Sequence, residues 1–181
     1  MSHRLARRDP PRYDHWPEAV RSAELLRGAL VRCGPALRGA GWPECPEVRL
    51  RAITGVIGPG RVAIGTTAAW VWGALREPCA PLEAAMPDRR RPPHEHRPGV
   101  RTRQLRIDQE DIVALGGATV TSRLRTVLDL LRSEESLDPR VRVAVRLLAL
   151  TVPGGRDRIA EVLRAGPRSG SIRALARCAE L

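Results

Sequence analysis

Residues 66–75 read TTAAWVWGAL, and the geometry of this stretch decides how the surrounding chain is arranged. In a strand, Trp70 and Trp72 would lie on one face, whereas in a helix they would point about 200° apart. Four apolar residues recur at the i, i+3, i+4 and i+7 spacing of an amphipathic helix: Ala68, Val71, Trp72 and Leu75. The stretch is therefore predicted as a helix that is capped by Thr66 or Thr67 and has Trp72 on its apolar face.

Short strands are predicted on both sides of this helix. RVAIG at 61–65 precedes it, PLEAAMP at 81–87 follows it, and GVRTRQLR at 99–106 alternates, which places Arg101 and Arg103 on one face. IDQEDIVALGGATVTS at 107–122 indicates a turn or short helix and then two strands joined through Gly116-Gly117. The segments near 60–65, 81–86, 99–106 and 111–121 are expected to form one small mixed sheet.

Helical spacing dominates the remainder of the chain. Residues 47–57 form one predicted helix, and Ser122 is expected to cap another, whose apolar face comprises Leu124, Val127, Leu128 and Leu131. Residues 139–151 are apolar on most sides and are expected to be central, whereas 156–165 and 171–180 are amphipathic. The fold class predicted is α+β: a small mixed β-sheet packed by helices, with a C-terminal helical cluster.

The N-terminal part differs in composition from the rest. Residues 1–17 are rich in arginine and proline without periodicity, which predicts a disordered basic arm. Residues 18–46 combine a possible short helix at 18–26 with an extended stretch, and residues 47–181 form the main domain. The four cysteines have neither CxxC nor zinc-ligand spacing, and no apolar run approaches a membrane span. A cytoplasmic protein with reduced thiols is expected.

Charge is the most informative property of the composition. The chain has a net charge of +11, and its 31 basic residues are all arginine. A surplus of this kind attracts polyanions, and guanidinium groups bind phosphate in a bidentate manner. DNA and an acidic protein are both partners that this positive charge would attract. The alternative is that the arginines only form a solvated surface, which reflects a biased composition and has no binding function.

Arginines are consequently the candidate binding residues. Arg89-Arg90-Arg91 is followed by Pro92-Pro93, whose stiffness would hold the guanidinium groups outward, unless this is only a solvated loop. Arg125 is better explained as a partner of Asp129 at i+4 than as part of a basic face. The candidates for binding nucleic acid or a partner are Arg89, Arg90, Arg91, Arg101, Arg103, Arg123, Arg4, Arg7 and Arg8.

Other motifs have simpler explanations. His94 and His96 form an HxH pair without a third ligand nearby, so no metal is predicted. The acidic residues 108, 110 and 111 fit a turn better than catalysis. No cofactor site and no catalytic centre are predicted, so the chain is expected not to be an enzyme. Trp70 is expected in the core, and as an alternative it is partly exposed and anchors a partner.

Four groups of residues follow one another along the chain: Thr67, Ala68, Ala69, Trp70, Trp72 and Gly73; Pro87, Arg89 and Arg90; Pro98, Gly99, Val100 and Arg101; and Asp111, Val120, Thr121, Arg125, Thr126, Leu128, Asp129 and Leu130. Their order resembles the C-terminal domain of AbiEi-type antitoxins of type IV toxin–antitoxin systems. The similarity covers residues 47–132 and, in outline, the helices of 139–180.

The resemblance implies a cytoplasmic regulator that represses its own operon through an N-terminal winged helix-turn-helix. It also implies a partner, a nucleotidyltransferase-like toxin that the antitoxin neutralises or accompanies. Residues 18–46 would then be a reduced remnant of the winged helix. A protein-interaction module for an acidic partner is the alternative. A nucleic-acid-processing enzyme is disfavoured, because the nuclease centre of some relatives needs a lysine and this chain has none.

Overall fold

The computed structural model describes residues 11–87, 97–133, 137–166 and 170–181. In these ranges it contains seven helices, a five-stranded sheet and a two-stranded hairpin, so the predicted α+β class is confirmed. The helices are α1 (Glu18–Leu26), α2 (Pro46–Ile57), α3 (Gly65–Val71), α4 (Arg123–Arg132), α5 (Pro139–Thr151), α6 (Gly155–Ala165) and α7 (Ser171–Ala179). The strands are β1 (Leu30–Cys33), β2 (Ala36–Gly39), β3 (Val62–Ala63), β4 (Leu82–Met86), β5 (Val100–Gln104), β6 (Ile112–Leu115) and β7 (Ala118–Thr121).

The larger sheet is mixed and has the strand order β5-β4-β3-β7-β6. β4 runs parallel to β5 and β3 parallel to β7, whereas the β3–β4 and β6–β7 pairs are antiparallel. Ala63 pairs with both Ala84 and Val120, so the end of β7 and the beginning of β4 lie at the same end of the sheet. All four segments predicted to be strands contribute to it.

Two apolar clusters cover the faces of this sheet. The main cluster lies between Leu82, Ala84 and Val120 of the sheet and the buried faces of the helices. A smaller cluster on the other face contains Val62, Ile64, Ala85 and Ile107. The helices are therefore concentrated on one face, and the other face has a thinner cover.

The N-terminal part packs through its hairpin. The β1–β2 turn contacts α3, because an added Cβ on Gly34 would lie 2.9 Å from the ring of Trp70. Tyr13 stacks edge-to-face on Trp16, with ring centroids 5.0 Å apart, and its hydroxyl approaches Gly39. Of the predicted disordered arm 1–17, residues 11–17 lie within the described ranges, where Tyr13 approaches the hairpin at Gly39, and residues 1–10 lie outside them.

Helix α3 is shorter than the sequence predicts. A Schellman motif ends it, in which the Gly73 N–H donates to the Trp70 carbonyl, the Ala74 N–H donates to the Ala69 carbonyl, and Gly73 has a φ of 89°. The predicted threonine caps are wrong, because the N-cap is Ile64 and has no side chain that accepts a hydrogen bond.

The C-terminal helices form a cluster against α4, as expected. The prediction that α5 is central is wrong, because only one side of this helix is buried. Val141, Ala144, Val145, Leu148 and Ala149 are buried, whereas Val143, Leu147 and Leu150 are exposed by 52%, 46% and 83%. Within the described ranges, no helix combines the length and apolar character needed to cross a bilayer.

Candidate nucleic-acid or partner interface

Two of the candidate arginines lie on β5, the outer strand next to β4. Arg101 is in register with Glu83, and Arg103 is in register with Ala85, so both arginines lie on the face that carries Glu83. Arg101 is exposed and Arg103 half-buried. The prediction that the two share a face is confirmed.

Glu83 connects these arginines to the beginning of α3. Its carboxylate accepts hydrogen bonds from the Thr66 N–H at 2.8 Å and the Thr66 hydroxyl at 2.9 Å, and it forms an ion pair with Arg103 at 3.0 Å. Gly65 is required here, since it has a φ of 54° and an added Cβ would overlap the Glu83 carboxylate. Arg103 is thus partly neutralised by a carboxylate that also fixes α3.

A cavity of about 220 Å³ lies beside this ion pair. Arg101, Arg103 and Glu83 of the sheet line it together with Asp129 and Asp138. The carboxylates lower the attraction of the cavity interior for phosphate. An anion is therefore better attracted to the outer edge, where Arg101 is exposed.

Arg123 is held at the beginning of α4 by Trp72. The guanidinium carbon lies 4.2 Å from the centroid of the indole ring, a cation–π contact. The indole itself is fixed, because its Nε1–H donates to the Thr121 carbonyl at 2.8 Å. Trp72 is therefore half-buried at the end of α3, and it presents its face to a candidate binding residue.

Arg125 is buried and has a structural role. Its Nε donates to both carboxylate oxygens of Asp129, at 2.8 and 2.9 Å, and its Nη1 to Asp111 at 2.7 Å. Nη2 donates to the Arg106 carbonyl, which ties the linker after β5 to α4. The preferred interpretation of Arg125 as the partner of Asp129 is confirmed.

Burial and charge act in opposite directions on this network. Burial raises the pKa of the Asp129 carboxyl group, although Arg125 acts to lower it. Burial lowers the pKa of Arg125, but the attraction of Asp129 and Asp111 is larger, and the net result is a raised pKa. The arginine is therefore charged, and it is not available to a ligand.

The described candidates do not converge on one point. The end of β7, where Arg123 follows, lies at the same end of the sheet as Arg101, but three strand spacings separate β5 from β7, roughly 14 Å. Arg4, Arg7, Arg8, Arg89, Arg90 and Arg91 lie outside the described residues, as do His94 and His96.

Trp70 requires a correction. The alternative that it is partly exposed and anchors a partner is wrong, because the side chain has no exposed surface and contacts the hairpin turn. The expectation that it belongs to the core is confirmed. Its Nε1 has no hydrogen-bond partner among the described residues, while the Arg49 guanidinium lies 5.3 Å from the centroid of its ring.

Sequence reasoning missed two features of this region. Glu83 was not a candidate, although a lone acid in the apolar strand PLEAAMP, followed by an arginine-rich strand, is a usable signal. The exposed apolar stripe of α5 was also missed, since periodicity does not show which apolar side a neighbour covers.

Comparison with family models, with curated proteins and with solved structures found no match. The similarity to AbiEi-type antitoxins stays a prediction from the motifs. In the described part of the chain, no three His, Cys, Asp or Glu side chains are grouped as metal ligands would be.

Proposed function

We propose that this chain is a non-enzymatic, antitoxin-like transcriptional regulator of the cytoplasm, which binds DNA through an arginine-rich surface. A nucleotidyltransferase-like toxin is its proposed protein partner. The proposal combines the AbiEi-like motif order with the charge of the molecule.

The observation that carries the proposal is the surplus of arginine, which gives a net charge of +11. Arg101 contributes to it on the outer strand of the sheet, where its side chain is exposed. Guanidinium groups at such positions bind phosphates and fix the orientation of a duplex, without selecting its sequence. Sequence preference would need additional contacts to base edges.

A gel-shift titration with the duplex upstream of the chain's own gene tests the DNA half of the proposal. Arg101→Gln should weaken binding, because one phosphate contact is lost. Arg76→Gln is the matched control, since Arg76 is another exposed arginine and the charge change is identical. Equal affinity of the two variants would exclude a local contact at Arg101, and no shift at low salt would refute DNA binding.

A second candidate function is binding of an acidic protein without DNA. It is supported by the same surplus of positive charge, because the exposed Arg101 guanidinium can pair with a protein carboxylate as it can with a phosphate. Stoichiometric co-purification with the product of a neighbouring gene, combined with unchanged migration of DNA, would favour this function. DNA binding in the absence of such a partner would exclude it.

A further inference from the structure

Helix α5 carries an apolar stripe whose side chains are about half exposed or more among the described residues. Val143, Leu147 and Leu150 are spaced at i, i+4 and i+7, so their side chains lie on one face of the helix. Pro139, one turn earlier on the same face, is also exposed. From Pro139 to Leu150 the stripe is roughly 16 Å long.

Arginines border this stripe on both sides. Arg140 lies on one side, and Arg142 and Arg146 lie on the other, all three exposed. Arg146 is oriented by a hydrogen bond to the Glu180 carbonyl at 3.0 Å, whereas Arg140 and Arg142 have no side-chain partner among the described residues. The helix itself, PRVRVAVRLLALT, contains no acidic residue.

Arg140 and Arg142 are at positions where the helix dipole of α5 does not favour them. Arg140 and Arg142 lie in the first turns, where the helix dipole disfavours positive charge, and the first turn has no acidic side chain. Asp138 provides the cap instead, by accepting a hydrogen bond from the Val141 N–H at 2.9 Å. A binding role accounts for positive charge at positions where it costs folding free energy.

We infer that the outer face of α5 is a docking surface for an amphipathic helix of another protein, with an apolar stripe flanked by acidic side chains. Leucine-type side chains of the partner would cover Val143, Leu147 and Leu150. Its carboxylates would pair with Arg140, Arg142 and Arg146. This inference concerns a different surface from the proposed DNA contact and does not depend on it.

Other occupants fit the surface less well. A second copy of this chain would bring its own α5 arginines against these arginines, and like charges repel. Three large apolar side chains are few for an interface of ~800 Å² per partner, and carboxylates that pair with the flanking arginines would add to the contact. Phosphates gain nothing from an apolar stripe. A bilayer would need a deeper apolar face than the one left by the contacts of α5 with α4 and α6.

A designed peptide of about 18 residues provides the test, because it is long enough to form a helix on a surface. The acidic peptide has a leucine stripe flanked by glutamates. A second peptide has lysines in place of the glutamates, and a third has the acidic composition with its leucines scattered. Fluorescence anisotropy should show the acidic peptide binding about ten-fold or more tightly than either of the others.

Variants of the whole chain locate the binding. Leu150→Glu changes a side chain that is 83% exposed, so folding should be unaffected, and acidic-peptide affinity should fall about ten-fold. Leu147→Glu should act in the same direction. Ile172→Glu is the matched control, because Ile172 is 89% exposed on α7, outside the stripe, and it should leave the affinity unchanged.

Several results would overturn the inference. One is that the three peptides bind with equal affinity. Another is that Ile172→Glu loses binding of the acidic peptide whereas Leu150→Glu keeps it. A dimer of this chain in sedimentation that Leu150→Glu converts to a monomer would identify a second copy as the occupant. Recruitment to phosphatidylserine-containing vesicles, with the same dependence on Leu150 and no peptide binding, would identify a membrane. None of these outcomes depends on whether the chain shifts DNA.

Discussion

The guanidinium of Arg125 binds Asp129 one turn later in α4, with its Nε 2.8 and 2.9 Å from the two carboxylate oxygens. The same guanidinium reaches Asp111 and the Arg106 carbonyl, so one side chain joins α4 to the linker that follows β5. Arg125 therefore stabilises the scaffold, as its i+4 spacing from Asp129 predicted.

Replacing Arg125 should be strongly destabilising. Arg125→Ala leaves the carboxylates of Asp129 and Asp111 without their partner, and we expect a loss of about 3 kcal/mol in the free energy of unfolding. Arg123→Ala is the neighbouring control, which loses a half-buried cation–π contact and should cost about 1 kcal/mol. Urea denaturation at neutral pH measures both, and equal losses would contradict the structural role of Arg125.

The cost of Arg125→Ala should also depend on pH. Burial already raises the pKa of the Asp129 carboxyl group, and removal of the arginine raises it further. A raised folded-state pKa means that the protonated form is favoured in the fold, so the penalty for the ionised carboxylate disappears as the pH falls through that pKa. The stability deficit of the variant relative to wild type should therefore be smaller in mild acid than at neutral pH.

Gly65 should tolerate no side chain. Gly65→Ala combines a φ of 54° with overlap of the new Cβ and the Glu83 carboxylate. Gly155→Ala is matched, because Gly155 has the same φ and nothing within 4 Å of the added Cβ. Backbone strain costs about 1 kcal/mol in both variants, and Gly65→Ala should lose clearly more. Chemical denaturation of the two variants measures the difference in their free energies of unfolding, which is due to the overlap with Glu83. Equal losses of stability would show that the Glu83 side chain moves away freely.

Because the Cys33 thiol is buried, we expect the free energy of unfolding to fall at alkaline pH. Burial raises the pKa of Cys33 to about 11. Because the folded-state pKa lies above the unfolded value of about 8.5, the neutral thiol stabilises the fold fully below that pH, and this contribution is lost as the pH rises towards 11. Cys33→Ala should show a smaller fall in urea midpoint between about pH 7.5 and about pH 10.5 than wild type.

Cys79→Ala is the control for this comparison, since it removes a cysteine that is only half-buried. It should keep the loss of stability that wild type shows in alkali. If Cys33→Ala and Cys79→Ala lose stability equally with pH, the burial of the Cys33 thiol does not control the effect.

Local sequence determined much of the fold. Helix α2 was predictable from its helical stripe of apolar residues, and α4 from such a stripe combined with the Ser122 cap. The β6–β7 hairpin was predictable because a two-residue hairpin turn requires positive φ angles, which glycine adopts readily. Gly116 and Gly117 both have positive φ in the structure.

Contacts distant in sequence explain what could not be predicted. Trp70 is buried because the β1–β2 turn closes over it, and no periodicity within α3 contains that contact. Glu83 acts through Thr66 and Arg103, which belong to other elements of the fold. The packing of α4 and α6 leaves one apolar side of α5 uncovered, and its composition alone cannot show which side that is.

The salt dependence of DNA binding is the most direct test of the central claim, that an arginine surface binds the duplex upstream of the gene. The logarithm of the association constant should fall linearly with the logarithm of salt concentration, with a slope of about −0.9 for each phosphate neutralised. Several contacts, as the net charge of +11 suggests, would give a steep slope. No binding at about 50 mM salt, or an affinity that does not change with salt, would contradict the account.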